Sequence, residues 1–178
     1  MKKTVFASSI FALSLLFSLS MSAQDFKGLD VSPMDASCYP VSHNISEKLV
    51  KVIYSRPQLR GRLVENLAPT GEVWRTGANE ATEITFYEDV MFGDKPVNAG
   101  VYSLFTIPGE KEWTVIINSD IDVWGAYNYN ADNDVARVKI PVKEEESFVE
   151  AFCIAFDDKA TMHIAWGHLR IPVPIKKK

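Results

Sequence analysis

Cysteine and histidine are scarce in this 178-residue sequence, which has two of the first and three of the second. Cys38, Cys153, His43, His163 and His168 do not make a zinc-ligand pattern, so neither a metal nor a cofactor is expected. One cysteine pair leaves two readings open. It forms a disulfide that ties the N-terminal segment to the body, or Cys153 is a small buried hydrophobe within Ala151-Phe152-Cys153-Ile154-Ala155-Phe156. Positive charge is not in excess: 19 lysines and arginines face 23 aspartates and glutamates, and only Lys176, Lys177 and Lys178 form a run. That balance gives no support to a nucleic-acid partner. A glycine-rich phosphate loop, a dinucleotide fingerprint and a glycine–serine–glycine nucleophile elbow are all missing. So are internal repeats and any convincing amphipathic helix longer than two turns.

Long apolar runs are missing too, except at the start. Lys2 and Lys3 precede an uncharged run over residues 5–19, followed by the small residues Ser20, Ser22 and Ala23, with Asp25 as the first acid. That order predicts a secretory signal peptide and an exported protein, periplasmic or secreted. The run falls short of the roughly 20 apolar residues of a membrane span, and no later stretch is long enough, so no transmembrane segment is expected after processing. Cleavage after Ala23, or alternatively after Ser22, leaves about 155 residues, enough for one domain with a sizeable core. Loss of Lys2 and Lys3 takes the formal charge from −4 to −6. The expected division is a signal over 1–23, an arm over 24–46 rich in Ser, Pro and Asp, a β-domain over 47–175 and a basic tail over 176–178.

What the body does have is alternation. Leu49-Val50-Lys51-Val52-Ile53-Tyr54 reads as a strand closed by Arg56-Pro57. Glu83-Ile84-Thr85-Phe86-Tyr87 reads as another, and Gly93-Asp94-Lys95 as a turn. Residues 101–107 and 113–118 form the clearest hairpin, with Pro108-Gly109 opening its loop. Residues 136–140, 148–156, 161–166 and 169–175 complete about eight strands, the last limited by Pro172 and Pro174 to an edge or an extended tail. Antiparallel strands without crossover helices must pack sheet on sheet or close on themselves, which predicts an all-β antiparallel sandwich or jelly-roll-like barrel. An immunoglobulin-like sandwich ranks second, because the cysteine–tryptophan–cysteine spacing is missing.

The segment Gly71-Glu72-Val73-Trp74-Arg75-Thr76-Gly77-Ala78-Asn79-Glu80-Ala81-Thr82 breaks this alternation and gathers hydrogen-bonding side chains between glycines. With Ser55-Arg56-Pro57, Gly61-Arg62, Gly100-Val101-Tyr102-Ser103-Leu104-Phe105-Thr106-Ile107-Pro108-Gly109, Glu112-Trp113-Thr114-Val115-Ile116, Asn118 and Trp124-Gly125-Ala126-Tyr127, it resembles an uncharacterised bacterial family. That family is catalogued as domain-of-unknown-function family 2911 and is known mostly from exported proteins of Bacteroidetes-like organisms. The resemblance covers most of the chain from about Leu49 onward. It implies no activity, substrate or catalytic residue.

Two readings of segment 74–82 follow. In the first, it is a structural corner in which Arg75 pairs with Glu80 or Glu72, Asn79 bonds the loop's own backbone and Trp74 plugs the end of the sandwich. In the second, Arg75, Asn79 and Glu80 converge with Arg56 and Arg62 on a pocket for a carboxylate, phosphate or sulfate group, which guanidinium forks suit. A second cluster, Trp124-Gly125-Ala126-Tyr127-Asn128-Tyr129-Asn130, interleaves aromatic rings with amides, a chemistry that fits sugars. The leading expectation is a non-catalytic small-ligand or glycan-binding module, with Arg56, Arg62, Arg75, Asn79 and Glu80 as polar contacts and Trp74, Trp124 and Tyr127 as aromatic walls. The alternatives are an envelope hydrolase or lyase using Glu80 as acid or base and Arg75 as anion stabiliser, or a module that docks on a protein partner. Glu80 with Asp122 or Asp134 can be named as a glycosidase pair, but no spacing singles them out. His163 and His168 read as a cross-strand pair about a turn at Trp166-Gly167.

Overall fold

A computed structural model describes residues 26–178; the expected signal over 1–23 lies outside the described residues. Ten strands follow in chain order: β1 (Met34–Tyr39), β2 (Val50–Ser55), β3 (Thr82–Phe86), β4 (Val90–Phe92), β5 (Lys95–Val97), β6 (Gly100–Ile107), β7 (Glu112–Asn118), β8 (Asp134–Pro141), β9 (Lys143–Phe156) and β10 (Thr161–Lys177). Their pairings are antiparallel and build two sheets, a six-stranded one in the order β1-β2-β3-β6-β7-β8 and a four-stranded one in the order β5-β4-β10-β9. The chain is a two-sheet sandwich and not a closed barrel.

Period-two patterning explains the core. Val50, Val52 and Tyr54 of β2, Ile84 and Phe86 of β3, Val115 and Ile117 of β7, and Ala136, Val138 and Ile140 of β8 all point inward. They meet Phe152 and Ile154 of β9 and Met162, Ile164, Trp166, Ile171, Val173 and Ile175 of β10. Inward residues on β10 are even-numbered up to Trp166 and odd-numbered from Leu169. The reversal takes place at Gly167, whose φ of +56° and shifted register mark a bulge. The extra residues lie on β9, which advances from Cys153 to Glu144 while β10 advances only from Ala165 to Leu169, and the left-handed turn of the backbone at Gly167 accompanies the reversal of β10's inward face.

Several expectations are corrected. The arm over 24–46 contributes β1, which pairs along its whole length with β2. The basic tail is not separate, since Lys176 and Lys177 pair with Met91 and Val90. The stretches 161–166 and 169–175 are one strand, and β10 lies between β4 and β9 rather than at an edge. Pro172 and Pro174 are tolerated because they fall where β10 changes partners, after its last β9 pair at Arg170 and before its first β4 pair at Ile175. His163 and His168 lie on that same strand and cannot face each other across a hairpin. His163 Nε2 instead meets Asp157 Oδ2 at 3.1 Å, and His168 Nδ1 donates to the Glu145 carbonyl at 2.9 Å. Cys38 and Cys153 are both free thiols. Among the described residues no helix is long and apolar enough to cross a membrane.

Candidate functional site

Segment 74–82 begins as an extension of the six-stranded sheet. Trp74 N donates to Thr106 O at 2.7 Å and Thr106 N returns a bond to Trp74 O at 2.9 Å. The chain then turns through left-handed residues at Thr76 (φ 55°) and Asn79 (φ 62°). Such a conformation is costly for threonine, and local bonds hold it. The Thr76 hydroxyl reaches Thr106 Oγ1 at 3.1 Å, and the Thr82 hydroxyl donates to Thr76 O at 2.7 Å. Gly77 fits closely between them, where a Cβ would stand 3.0 Å from Ser55 O and 3.2 Å from Thr82 Oγ1.

Trp74 itself is 4% exposed, stacked on Trp166 at 5.4 Å and edge-on to Trp113 and Phe152. It is part of the core and offers no wall to a ligand. Arg75 forms no ion pair with Glu72 or Glu80, and its Nε is buried without a hydrogen-bond partner among the described residues. Arg56 straps the two sheets at the β1–β9 edge, donating Nε to Phe152 O and Nη1 to Asp35 Oδ2, each at 3.0 Å. Arg62 bonds its own loop, at Leu59 O (2.9 Å) and Gln58 O (2.8 Å). Arg56 and Arg62 are thus each tied to backbone carbonyls of a different segment, the first at the β1–β9 edge and the second within its own loop.

The two aromatic and amide segments do meet. Ala81 N donates to Val123 O at 2.9 Å, Gly125 N to Asn79 O at 3.0 Å, and Glu80 and Trp124 form an isolated bridge. The loop over 119–133 lies over the outer face of the six-stranded sheet. Tyr129 packs edge-on against Phe105 at 5.0 Å, and buried Asn118 donates Nδ2 to Asn130 O and Asp134 Oδ1, both at 2.9 Å. Trp124 is 60% exposed and Tyr127 83%, beside exposed Glu80. Glu80, Glu83 and Asp122 share a smaller pocket of about 230 Å³, whereas Asp134 is engaged by Asn118, Tyr129 and Arg137 and lines none of it. No group of three or more His, Cys, Asp or Glu side chains suited to a metal occurs among the described residues.

A larger cleft lies elsewhere, with a volume of about 730 Å³. Its boundaries are the segment 59–70 with a 3-10 turn at Val64–Asn66, the 108–110 loop of the β6–β7 hairpin, the first half of β9, and Gly167 to Leu169 of β10. Leu59, Ala68 and Trp113 make a buried apolar floor, while Leu63 and Phe148 stand on the rim, 63% and 55% exposed. The β9 wall departs from its partner, for the register jumps from Gly167↔Val149 to Leu169↔Glu144. Arg170 holds this bulged wall. Its side chain, 10% exposed, donates to Ser147 O (2.6 Å), Ser147 Oγ (2.8 Å) and Leu169 O (2.8 Å) and meets Glu145 Oε2 at 3.3 Å. Of the residues expected to form a site, Arg62 alone lines this cleft. The available signals were Arg170 set between Leu169 and Ile171, and the run Glu144-Glu145-Glu146 just before Phe148.

The profile of the family described as "Protein of unknown function (DUF2911)" matches residues 37–175. The chain belongs to this family. The matched span runs from within β1 to near the end of β10, so the DUF2911 domain takes in both sheets, the cleft and the 119–133 loop. No curated protein and no solved structure matches the chain.

Proposed function

We propose that this DUF2911 protein is an exported small-ligand-binding module whose ligand lies in the cleft between segment 59–70 and the bulged half of β9. The observation that carries the reading is the cleft's make-up: about 730 Å³, with a buried apolar floor, exposed Leu63 and Phe148 on its lip and charged side chains around it. Ligand sites typically have roughly this size and this mixture of lining groups. Export is supported by the order of Lys2, Lys3, the apolar run over 5–19 and the small residues that follow.

A second reading, glycan binding on the other side, is favoured by Trp124 and Tyr127 standing exposed beside Glu80. One screen separates the two. Mature protein is melted in the presence of oligosaccharides, amines and carboxylated or phosphorylated metabolites, beside the variants Thr70→Trp, which fills the cleft from an exposed position, and Trp124→Ala. The proposal expects one ligand class to raise Tm, with the shift lost in Thr70→Trp and kept in Trp124→Ala. The reverse pattern assigns function to the aromatic loop, and no shift from any class overturns both.

A further inference from the structure

The charges around the cleft are one-sided. Glu65, Glu110, Glu144, Glu145 and Glu146 line it, against the single guanidinium of Arg62. Arg62 directs Nε and Nη2 to the carbonyls of its own loop, and Arg170 is buried behind the wall, where it meets Glu145. Glu65, Glu110, Glu144 and Glu146 pair with no lysine or arginine among the described residues. Lys111 and Lys143 adjoin the rim in sequence but line none of it. The cleft therefore joins an apolar floor to four carboxylates, Glu65, Glu110, Glu144 and Glu146, that make no ion pair among the described residues. The Phe148 ring, exposed on the lip and edge-on to His168 at 5.2 Å, adds an aromatic surface that attracts cations.

From this complementarity we infer that the cleft takes a small amphiphilic organic cation, an alkyl or aryl body that bears a protonated or quaternary amine. The inference rests on the cleft being the binding site, and it deepens that reading by fixing the ligand's charge. The apolar body lies against Leu59, Ala68 and Trp113, and the cation stays at the rim between Glu144, Glu146 and Glu110. An anion of the same shape meets uncompensated like charge there, and a neutral analogue gains only the apolar contact.

The test uses three probes with one body, hexyltrimethylammonium, 1-hexanol and hexanoate, titrated calorimetrically into the mature protein at low and at 0.5 M salt. The cation is expected to bind about tenfold more tightly than the alcohol, hexanoate more weakly than either, and the cation's advantage to shrink in high salt. The double variant Glu144→Gln/Glu146→Gln changes two exposed side chains, so it should fold normally. It should lower affinity for the cation about five- to tenfold while leaving the alcohol unchanged. Equal binding of cation and alcohol, or a cation affinity indifferent to the double variant, overturns the charge inference. If that binding is still abolished by Thr70→Trp, the cleft remains the site. Failure of all three probes to bind overturns the charge inference, and the cleft reading falls with it only if the wider thermal screen also shows no shift.

Discussion

Tyr129 donates to Asp134 Oδ2 at 2.6 Å and accepts from Arg137 Nη2 at 3.2 Å. Burial, followed by the hydrogen bond to the Asp134 carboxylate, keeps its phenol protonated and pushes its pKa up to about 12. An unfolded tyrosine titrates near 10. Between these values the unfolded chain has lost a proton that the folded chain retains, so stability must fall as pH rises. The contribution is whole below about pH 10 and is lost by about pH 12. Buried Tyr54, which donates to Ile154 O at 3.0 Å, is displaced in the same direction, chiefly by burial. Denaturant midpoints measured from pH 9 to 12 should therefore decline, and Tyr129→Phe should flatten the decline without removing it; an unchanged slope in that variant would disprove the assignment. Arg56 offers a separate test at this scale. Its ion pair with Asp35 is about a third exposed and so worth little, but the bond to Phe152 O adds to it. Arg56→Ala should cost about 1–2 kcal/mol of apo stability. An unaltered melting curve would free the residue for ligand duty.

Among the turns, two glycines with positive φ separate backbone strain from packing. Gly71 (φ 82°) has nothing within 4 Å of a notional Cβ, whereas at Gly93 (φ 59°), in the turn joining β4 to β5, a Cβ would stand 2.9 Å from Val138 Cγ1. Both alanine variants incur the left-handed cost of about 1 kcal/mol. Gly93→Ala must also push β5 and β8 apart, so it should lose at least about 1 kcal/mol more, a difference readable in urea midpoints. Equal losses would mean that the sheet edges yield freely. The strands that could be read from sequence were those in which alternation persists long enough to register: β2, β3, β8 and the β6–β7 hairpin. β4 and β5, at three residues each, are too short to show a period. β10 was broken in two because a bulge at Gly167 reverses its period and because prolines look like strand ends unless the change of partner is known. The site was less legible still. Trp74, Trp124 and Tyr127 are alike as residue types, yet the first belongs to the core and the others to the surface, a distinction set by which strand each segment pairs with. The cleft depends on a bulged wall pinned by Arg170, and no local pattern announces it.

The sandwich as a whole is joined at its aromatic centre. Trp113 comes from the six-stranded sheet, Phe152 and Trp166 from the four-stranded sheet, and Trp74 from the segment bridged to β6 at Thr106, in contact with all three. Phe152 and Trp166 also touch each other at 5.7 Å. Neither sheet keeps its inner face covered if this cluster opens, so the two should unfold together rather than in turn. Truncating a buried tryptophan costs about 3–5 kcal/mol, against a total of roughly 5–15 kcal/mol for a domain. Trp74→Ala should therefore lower the unfolding midpoint severely, and the far-ultraviolet signal of the sheets and the near-ultraviolet signal of the aromatics should still fall at one denaturant concentration. Trp124, exposed on the 119–133 loop, should tolerate alanine to within about 0.5 kcal/mol. Two separated transitions in Trp74→Ala would show that one sheet survives without the other. The shared aromatic centre would then not be what makes the domain a single cooperative unit.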